Sequence, residues 1–165
     1  MRKALLGFVA LFLISSMSFS QEKLKTYTSE LGKFAIEYQG EINERTQDKE
    51  TSKVYRATYR VAGMGFMTSS TVHENKAEDA SKMLKLSLET LLKTVKGDVV
   101  SKKDITQQGQ KGLHVVLDLK ENGVQIVYRV FVKDAYQYQL LVFGKAEEFD
   151  INKAMAYMNS FKMTK

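Results

Sequence analysis

Residues 113–143, LHVVLDLKENGVQIVYRVFVKDAYQYQLLVF, decide how the chain is read, because two turn signals separate three runs of apolar residues. Asn122-Gly123 is the dipeptide that a two-residue type I′ turn favours, since both central positions need positive φ. On that turn Leu119 faces Ile126, Leu117 faces Tyr128, Val115 faces Val130 and Leu113 faces Val132, which makes one face of the hairpin wholly apolar. The other face is mixed, with His114 opposite Phe131, Val116 opposite Arg129 and Asp118 opposite Val127. The second turn lies near Lys133, Asp134 and Ala135. A three-residue loop there pairs Val130 with Tyr138, Tyr128 with Leu140 and Ile126 with Val142, whereas a two-residue loop sets Arg129 against Leu140. A one-residue slip exchanges the two faces, so the apolar pattern selects the three-residue loop.

On this register the mixed face of the meander carries the candidate binding residues His114, Arg129, Phe131, Gln137 and Gln139. An aromatic and an arginine ringed by amides is a composition favoured at the centre of protein interfaces. If that face meets a partner, Arg129→Ala should behave as a surface change and leave stability near that of the parent. The competing reading lays the C-terminal helix over Val127, Leu141 and Phe143 and leaves only a polar remnant exposed.

Working outward, Val54 to Val61 alternates as a half-buried strand and Phe66 to Val72 returns as its partner, with a turn around Gly63, Met64 and Gly65. Leu31 to Tyr38 reads as a first strand, after a polar leader from Gln21 to Thr28. Glu41 to Ser52 is charged and nearly free of apolar residues, which predicts a solvated loop. Asn75 opens the main helix with Glu78 in a capping-box spacing, and Gly97 closes it. Ala77, Ala80, Leu84, Leu88, Leu91 and Val95 form its apolar stripe, widened by Met83 and Leu92. Val99 to Thr106 is extended. Asp150 caps a last helix running to Asn159 that buries Ile151, Ala154, Met155 and Met158, and Phe161 and Met163 follow. The fold class is therefore α+β: an antiparallel sheet built from hairpins and a meander, with one long and one short helix packed on it.

The N-terminus has its own logic. Arg2 and Lys3 precede an apolar run from Ala4 to Ile14, and small residues stand at Ser18 and Ser20. That pattern is a secretory signal peptide over residues 1–20, too short to be a comfortable membrane span, and it leaves residues 21–165 as a single domain. With no cysteine in the chain, neither disulfides nor thiolate metal sites are available after export. An exported, cysteine-free chain points to a bacterial periplasm or the external medium. Without Arg2 and Lys3 there remain 23 basic and 19 acidic residues, a dispersed excess that gives no argument for nucleic acid.

Catalytic and metal signatures are not apparent. The two histidines, His73 and His114, fall on different strands, and no H-E-x-x-H or G-x-S-x-G motif occurs. No cofactor motif is present either, since Gly63 and Gly65 are not followed by G-x-G-x-x-G spacing. A hydrolase assembled from His114, Asp118 and Ser69, Ser70 or Ser81 is the weakest of the readings.

The order of parts, a strand near the mature N-terminus, a hairpin, a long helix, a meander ending in Tyr136-Gln-Tyr-Gln-Leu-Leu-Val-Phe143 and a short helix closing on Asn159-Ser-Phe161, resembles the PsbP-like family of small exported α/β domains. The resemblance spans most of residues 21–165. It implies an antiparallel sheet with helices packed on it, a non-catalytic binding or assembly role, and no catalytic motif to carry over. The proline usual near the first strand of that family is missing.

Two functions are thus expected in competition. One is a binding or assembly module for an unknown protein, using the mixed face of the sheet. The other is a carrier of a small apolar ligand, lined by Tyr55, Tyr59, Tyr128 and Tyr138 with Met64, Met67 and Met83. Export itself is directly checkable: intact-mass measurement of the secreted product should give a chain beginning at Gln21, and a retained Met1–Ser20 segment would contradict the reading.

Overall fold

In the computed structural model, which describes residues 23–75 and 79–165, the described residues form ten strands and two α-helices. Strands β1 (Lys25–Ser29), β2 (Phe34–Tyr38) and β10 (Lys162–Met163) make a small antiparallel sheet with β2 in the middle. The other seven are β3 (Asn43–Lys49), β4 (Ser52–Val61), β5 (Met64–His73), β6 (Asp98–Gln107), β7 (Gln110–Leu119), β8 (Val124–Lys133) and β9 (Tyr136–Lys145). They pair antiparallel in the order β3-β4-β5-β9-β8-β7-β6. Helix α1 (Ala80–Val95) lies on one face of this larger sheet, against β7 and β8. Helix α2 (Ile151–Ser160) and the small sheet cover the other. The α+β architecture read from the sequence is the one observed.

Both hairpins of the meander take registers other than those expected. The first does not turn on a two-residue loop: Lys120–Asn122 form a short 3-10 turn and only Gly123, at φ 58°, is left-handed. Leu119 therefore faces Val124, Leu117 faces Ile126, Val115 faces Tyr128 and Leu113 faces Val130. The shift is two residues, so the faces are kept while every partner changes, and His114 now stands opposite Arg129 rather than Phe131. The second hairpin does use the two-residue loop, with Asp134 at φ 55°, and Arg129 is paired with Leu140. Here the slip is odd and exchanges faces. Tyr138, Leu140 and Val142 join Val127 and Phe131 beneath α2, while Leu141 and Phe143 lie on the α1 side.

The reason is that β8 is buried from Ile126 to Val132 without interruption. A strand covered on both sides has no polar face to protect, so a rule that keeps one face apolar loses its force. Two segments without apolar alternation are strands all the same. Edge strand β3 is exposed along its whole length and β1 is largely polar, and both are held by backbone pairing to a partner strand. The β4-β5 hairpin turns at Ala62 and Gly63, both with positive φ, so Met64 and Gly65 belong to the strand.

Helix α1 starts later than expected. Asp79, not Asn75, is the N-cap, its carboxylate accepting from the Lys82 amide at 3.0 Å; Glu78 lies outside the described residues. Its end is set by Lys96 in the left-handed region, one residue before Gly97, with the Lys96 amide donating to the Leu92 carbonyl. For α2 the expected cap is found, Asp150 Oδ1 accepting from the Asn152 and Lys153 amides. Its buried side is Ala154, Tyr157 and Met158, whereas Ile151 is exposed. Full burial of a side chain such as Met158 contributes about 1.5–3 kcal/mol. Tyr157 also bonds Thr68 of β5 through the two hydroxyls at 2.6 Å, so the helix is oriented as well as buried.

At Gly112 the space beside β7 is filled by its neighbour: a Cβ there would stand 2.5 Å from the Val130 carbonyl oxygen and 2.5 Å from Phe131 Cδ1. Gly112→Ala should therefore cost about 1–3 kcal/mol in urea unfolding, as overpacking does. An unchanged midpoint would contradict this strand spacing.

Candidate functional site

The five expected binding residues do not share a face. Alternation along paired strands puts His114, Arg129 and Phe131 under α2, and Gln137 and Gln139 on the side of α1. Phe131 is fully buried and stacks on Phe161 at 5.8 Å between ring centroids.

Arg129 is buried too, and its charge is met by neutral acceptors. Nη1 donates to the Met158 carbonyl at 3.0 Å, to Asn159 Oδ1 at 3.0 Å and to Gln107 Oε1 at 3.4 Å, while Nε donates to His114 Nδ1 at 3.1 Å. Met158 and Asn159 lie in the last turn of α2, where the helix dipole favours a cation. Gln107 Nε2 in turn donates to the Phe161 carbonyl at 2.7 Å, and the Met163 amide donates to Gln108 Oε1 at 2.7 Å. Arg129 and the β6-β7 turn thus fasten the C-terminal segment to the sheet. Accepting from Arg129 requires His114 to carry no proton on Nδ1, and burial, then Arg129 and Lys103, hold its pKa below the usual 6.5.

The chemistry left on the surface lies at the other end of the sheet. On the α1 side, successive rows across the strands run Arg45, Arg56, Ser69, Gln139; then Asn43, Thr58, Met67, Leu141; then Arg60, Gly65, Phe143. Helix α1 covers β7 and β8 and reaches β9 through a Gln137 to Ser87 hydrogen bond, leaving β3 and β4 open. There a hollow of about 500 Å³ is lined by Arg45, Arg56, Thr58, Arg60, Met67 and Phe143, among others. Arg45, Arg56 and Arg60 are exposed, and the Arg60 guanidinium stands 5.8 Å from the centre of the Phe143 ring. A Cβ on Gly65 would collide with that ring, so glycine is what lets Phe143 lie flat against β5.

Neither family models nor curated proteins match the chain in sequence. Solved structures do. The solution structure of cyanobacterial PsbP (CyanoP) from Synechocystis sp. PCC 6803 superposes with a TM-score of 0.63 over 92% of this chain and 98% of that one, at 11% identity. The chain has the PsbP-like fold. A crystal structure from Bacteroides thetaiotaomicron VPI-5482 gives a TM-score of 0.45 at 13% identity, over 86% of this chain and 48% of that one. The PsbP-like resemblance read from the order of elements is thus met in three dimensions.

Among the described residues no group of three or more His, Cys, Asp or Glu side chains could hold a metal, and no helix is long and apolar enough to cross a membrane. The tyrosines and methionines expected around an apolar ligand are divided. Tyr59, Tyr138 and Met64 belong to the core under α2, Tyr128 and Met83 to the one under α1.

Two measurements test the Arg129 cluster. Arg129→Ala should cost roughly 2–4 kcal/mol, because it strands buried acceptors and removes the cation from the end of α2; a surface-like change would refute this account. The second concerns pH. With its folded pKa depressed below 6.5, His114 takes up a proton more readily in the unfolded chain, so its contribution is complete above about pH 6.5 and is lost as pH falls toward the folded value. Urea-derived stability should decline over that window in the parent and decline less in His114→Gln.

Proposed function

We propose that this chain is an exported, non-catalytic binding or assembly module that holds a protein partner against the open β3-β4-β5 end of its larger sheet. The observation that carries the proposal is the unequal covering of that sheet. One side is covered by α2 and the small sheet over β4, β5, β9 and β8, the other by α1 over β7 and β8, and the remainder of the α1 side presents guanidinium, amide, hydroxyl and apolar groups together. Such a mixture around an aromatic residue suits a protein interface. Gln139 of the expected set borders this area, in the row of Arg45, Arg56 and Ser69, while Gln137 bonds Ser87 of α1 and His114, Arg129 and Phe131 serve the fold on the opposite face, at β7 and β8.

The PsbP-like fold supports the module reading, since its resemblance implies binding or assembly rather than catalysis. Export rests on the signal-like residues 1–20, which lie outside the described residues, and makes a bacterial periplasm or the external medium the place of action. The carrier reading has less to stand on. Tyr59, Tyr138 and Met64 lie in one core and Tyr128 and Met83 in the other, Met67 lines the arginine-rich hollow, and an apolar hollow bounded by Leu24, Val61, Phe66 and Tyr157 holds about 140 Å³. Ligand pockets usually span about 300–1,000 Å³.

The test is site-specific photo-crosslinking in the native host. A photoreactive residue at Thr58 should capture one discrete protein, and the same residue at Leu86, exposed on α1, should not. No adduct at Thr58, or the same adduct from both positions, would remove this end of the sheet from the function.

A further inference from the structure

The partner's chemistry can be read from how the chain distributes its cations. It has twenty lysines but five arginines: Arg2, Arg45, Arg56, Arg60 and Arg129. Arg129 is buried in the α2 latch, and Arg2 lies in the signal-like leader. The other three line one hollow. Lysine suffices for a solvated surface charge, whereas arginine offers a planar fork matched to the two oxygens of a carboxylate.

Their placement is unfavourable for the isolated domain. Arg45 and Arg56 are direct cross-strand partners, and like charges in that position repel. Neither forms an ion pair among the described residues. Glu41 at the rim supplies one carboxylate against three guanidiniums, so the hollow stays positive. A pair of arginines held together without a counterion is what an anion-binding surface needs before its ligand arrives.

Spacing selects the form of the anion. Arg60 is four residues beyond Arg56 on the same face of β4, about 13 Å along the strand, with Thr58 between them and Met67 beside it. A small oxyanion spans only one of these two positive points. An extended peptide with acidic side chains four residues apart spans both, and its central side chain on the same face would meet Met67 and Phe143. Resting on the module reading above, we propose that the hollow receives an extended acidic segment of the partner protein, its carboxylates forked by Arg45 and Arg56 at one end and by Arg60 at the other.

A fluorescent peptide with glutamates at positions one and five and leucine at position three, in an otherwise Ser/Thr strand-forming sequence, is the probe for fluorescence anisotropy. The parent should bind it in a salt-dependent way, with amide shifts centred on Thr58 and Met67. Arg56→Lys should weaken binding about tenfold, the loss expected when a two-pronged contact becomes a point charge. Arg56→Ala should weaken it further while leaving the thermal midpoint unchanged or raised, since it relieves the repulsion with Arg45. The inference is overturned if the parent does not bind the peptide, if Arg56→Lys binds as well as the parent, or if a peptide with adjacent glutamates binds equally. It is also overturned if inorganic phosphate competes as well as the unlabelled peptide, which would mark a small-anion site, or if Arg56→Ala lowers the midpoint, which would make Arg56 structural. A Thr58 crosslink to a protein with no binding of this peptide would leave the module standing and sink only the acidic-segment inference.

Discussion

Strand β8 is buried along both faces, and the rest of the structure answers to that constraint. Seven consecutive residues, Ile126 to Val132, lie out of water, and one of them is Arg129. A guanidinium cannot be taken from water without partners to replace the hydration it loses. The end of α2 supplies them, through the Met158 carbonyl and the Asn159 side chain, and Gln107 and His114 complete the set. Packing of α2 and threading of the C-terminus past the β6-β7 turn both follow from placing a cation in the middle of the sheet, and burial together with that cation disfavours the charged form of His114.

The same constraint divides the molecule's two sides. Beneath α2, an aromatic cluster joins the small sheet to the large one: Tyr59 stacks on Phe66 at 4.5 Å, Tyr157 meets both edge-on, and Phe161 bridges Phe34 and Phe131. Rings that interlock in this way leave little room for a ligand. On the opposite side a single helix of 16 residues, about 24 Å long, is asked to cover a seven-stranded sheet about 30 Å wide, and it sits over β7 and β8. The uncovered remainder at β3 and β4 is therefore a consequence of how many strands the chain builds and how few helices it has to lay on them. Edge strand β3, exposed on both faces, is what extends the sheet beyond the helix.

Local signals read well where one residue decides the structure. The Asp150 cap, the β4-β5 hairpin and the stripe of α1 around Leu84 and Leu88 are each legible because a hydrogen bond or a period ties sequence to geometry over a few positions. The start of α1 is ambiguous in sequence because Asn75 and Asp79 are both competent caps, and it is the Asp79 carboxylate that accepts from a helical amide. Strands β1 and β3 gave no alternation to detect, since an exposed edge is held by its backbone and not by its side chains. The arginine hollow was equally hidden. Arg56 and Arg60 share a face in the alternation of β4, but Arg45 lies in a stretch that reads as loop, and only its pairing with Arg56 brings the three together.

By itself the sequence determined the class of fold, the order of helices α1 and α2 among strands β2 and β4 to β9, and which residues along each strand point the same way. Those properties depend on local preference and on the two-residue period of a strand. Tertiary structure alone decided which strands oppose which residues and which faces meet water. An even slip, as at Gly123, keeps every face and so cannot be detected from pattern. The odd slip at Asp134 exchanged them, and pattern misjudged it because β8 has no solvent side. Arg129 looks like a surface residue by composition and is a buried one by position, because the end of a helix more than twenty residues away supplies the acceptors that make its burial tolerable.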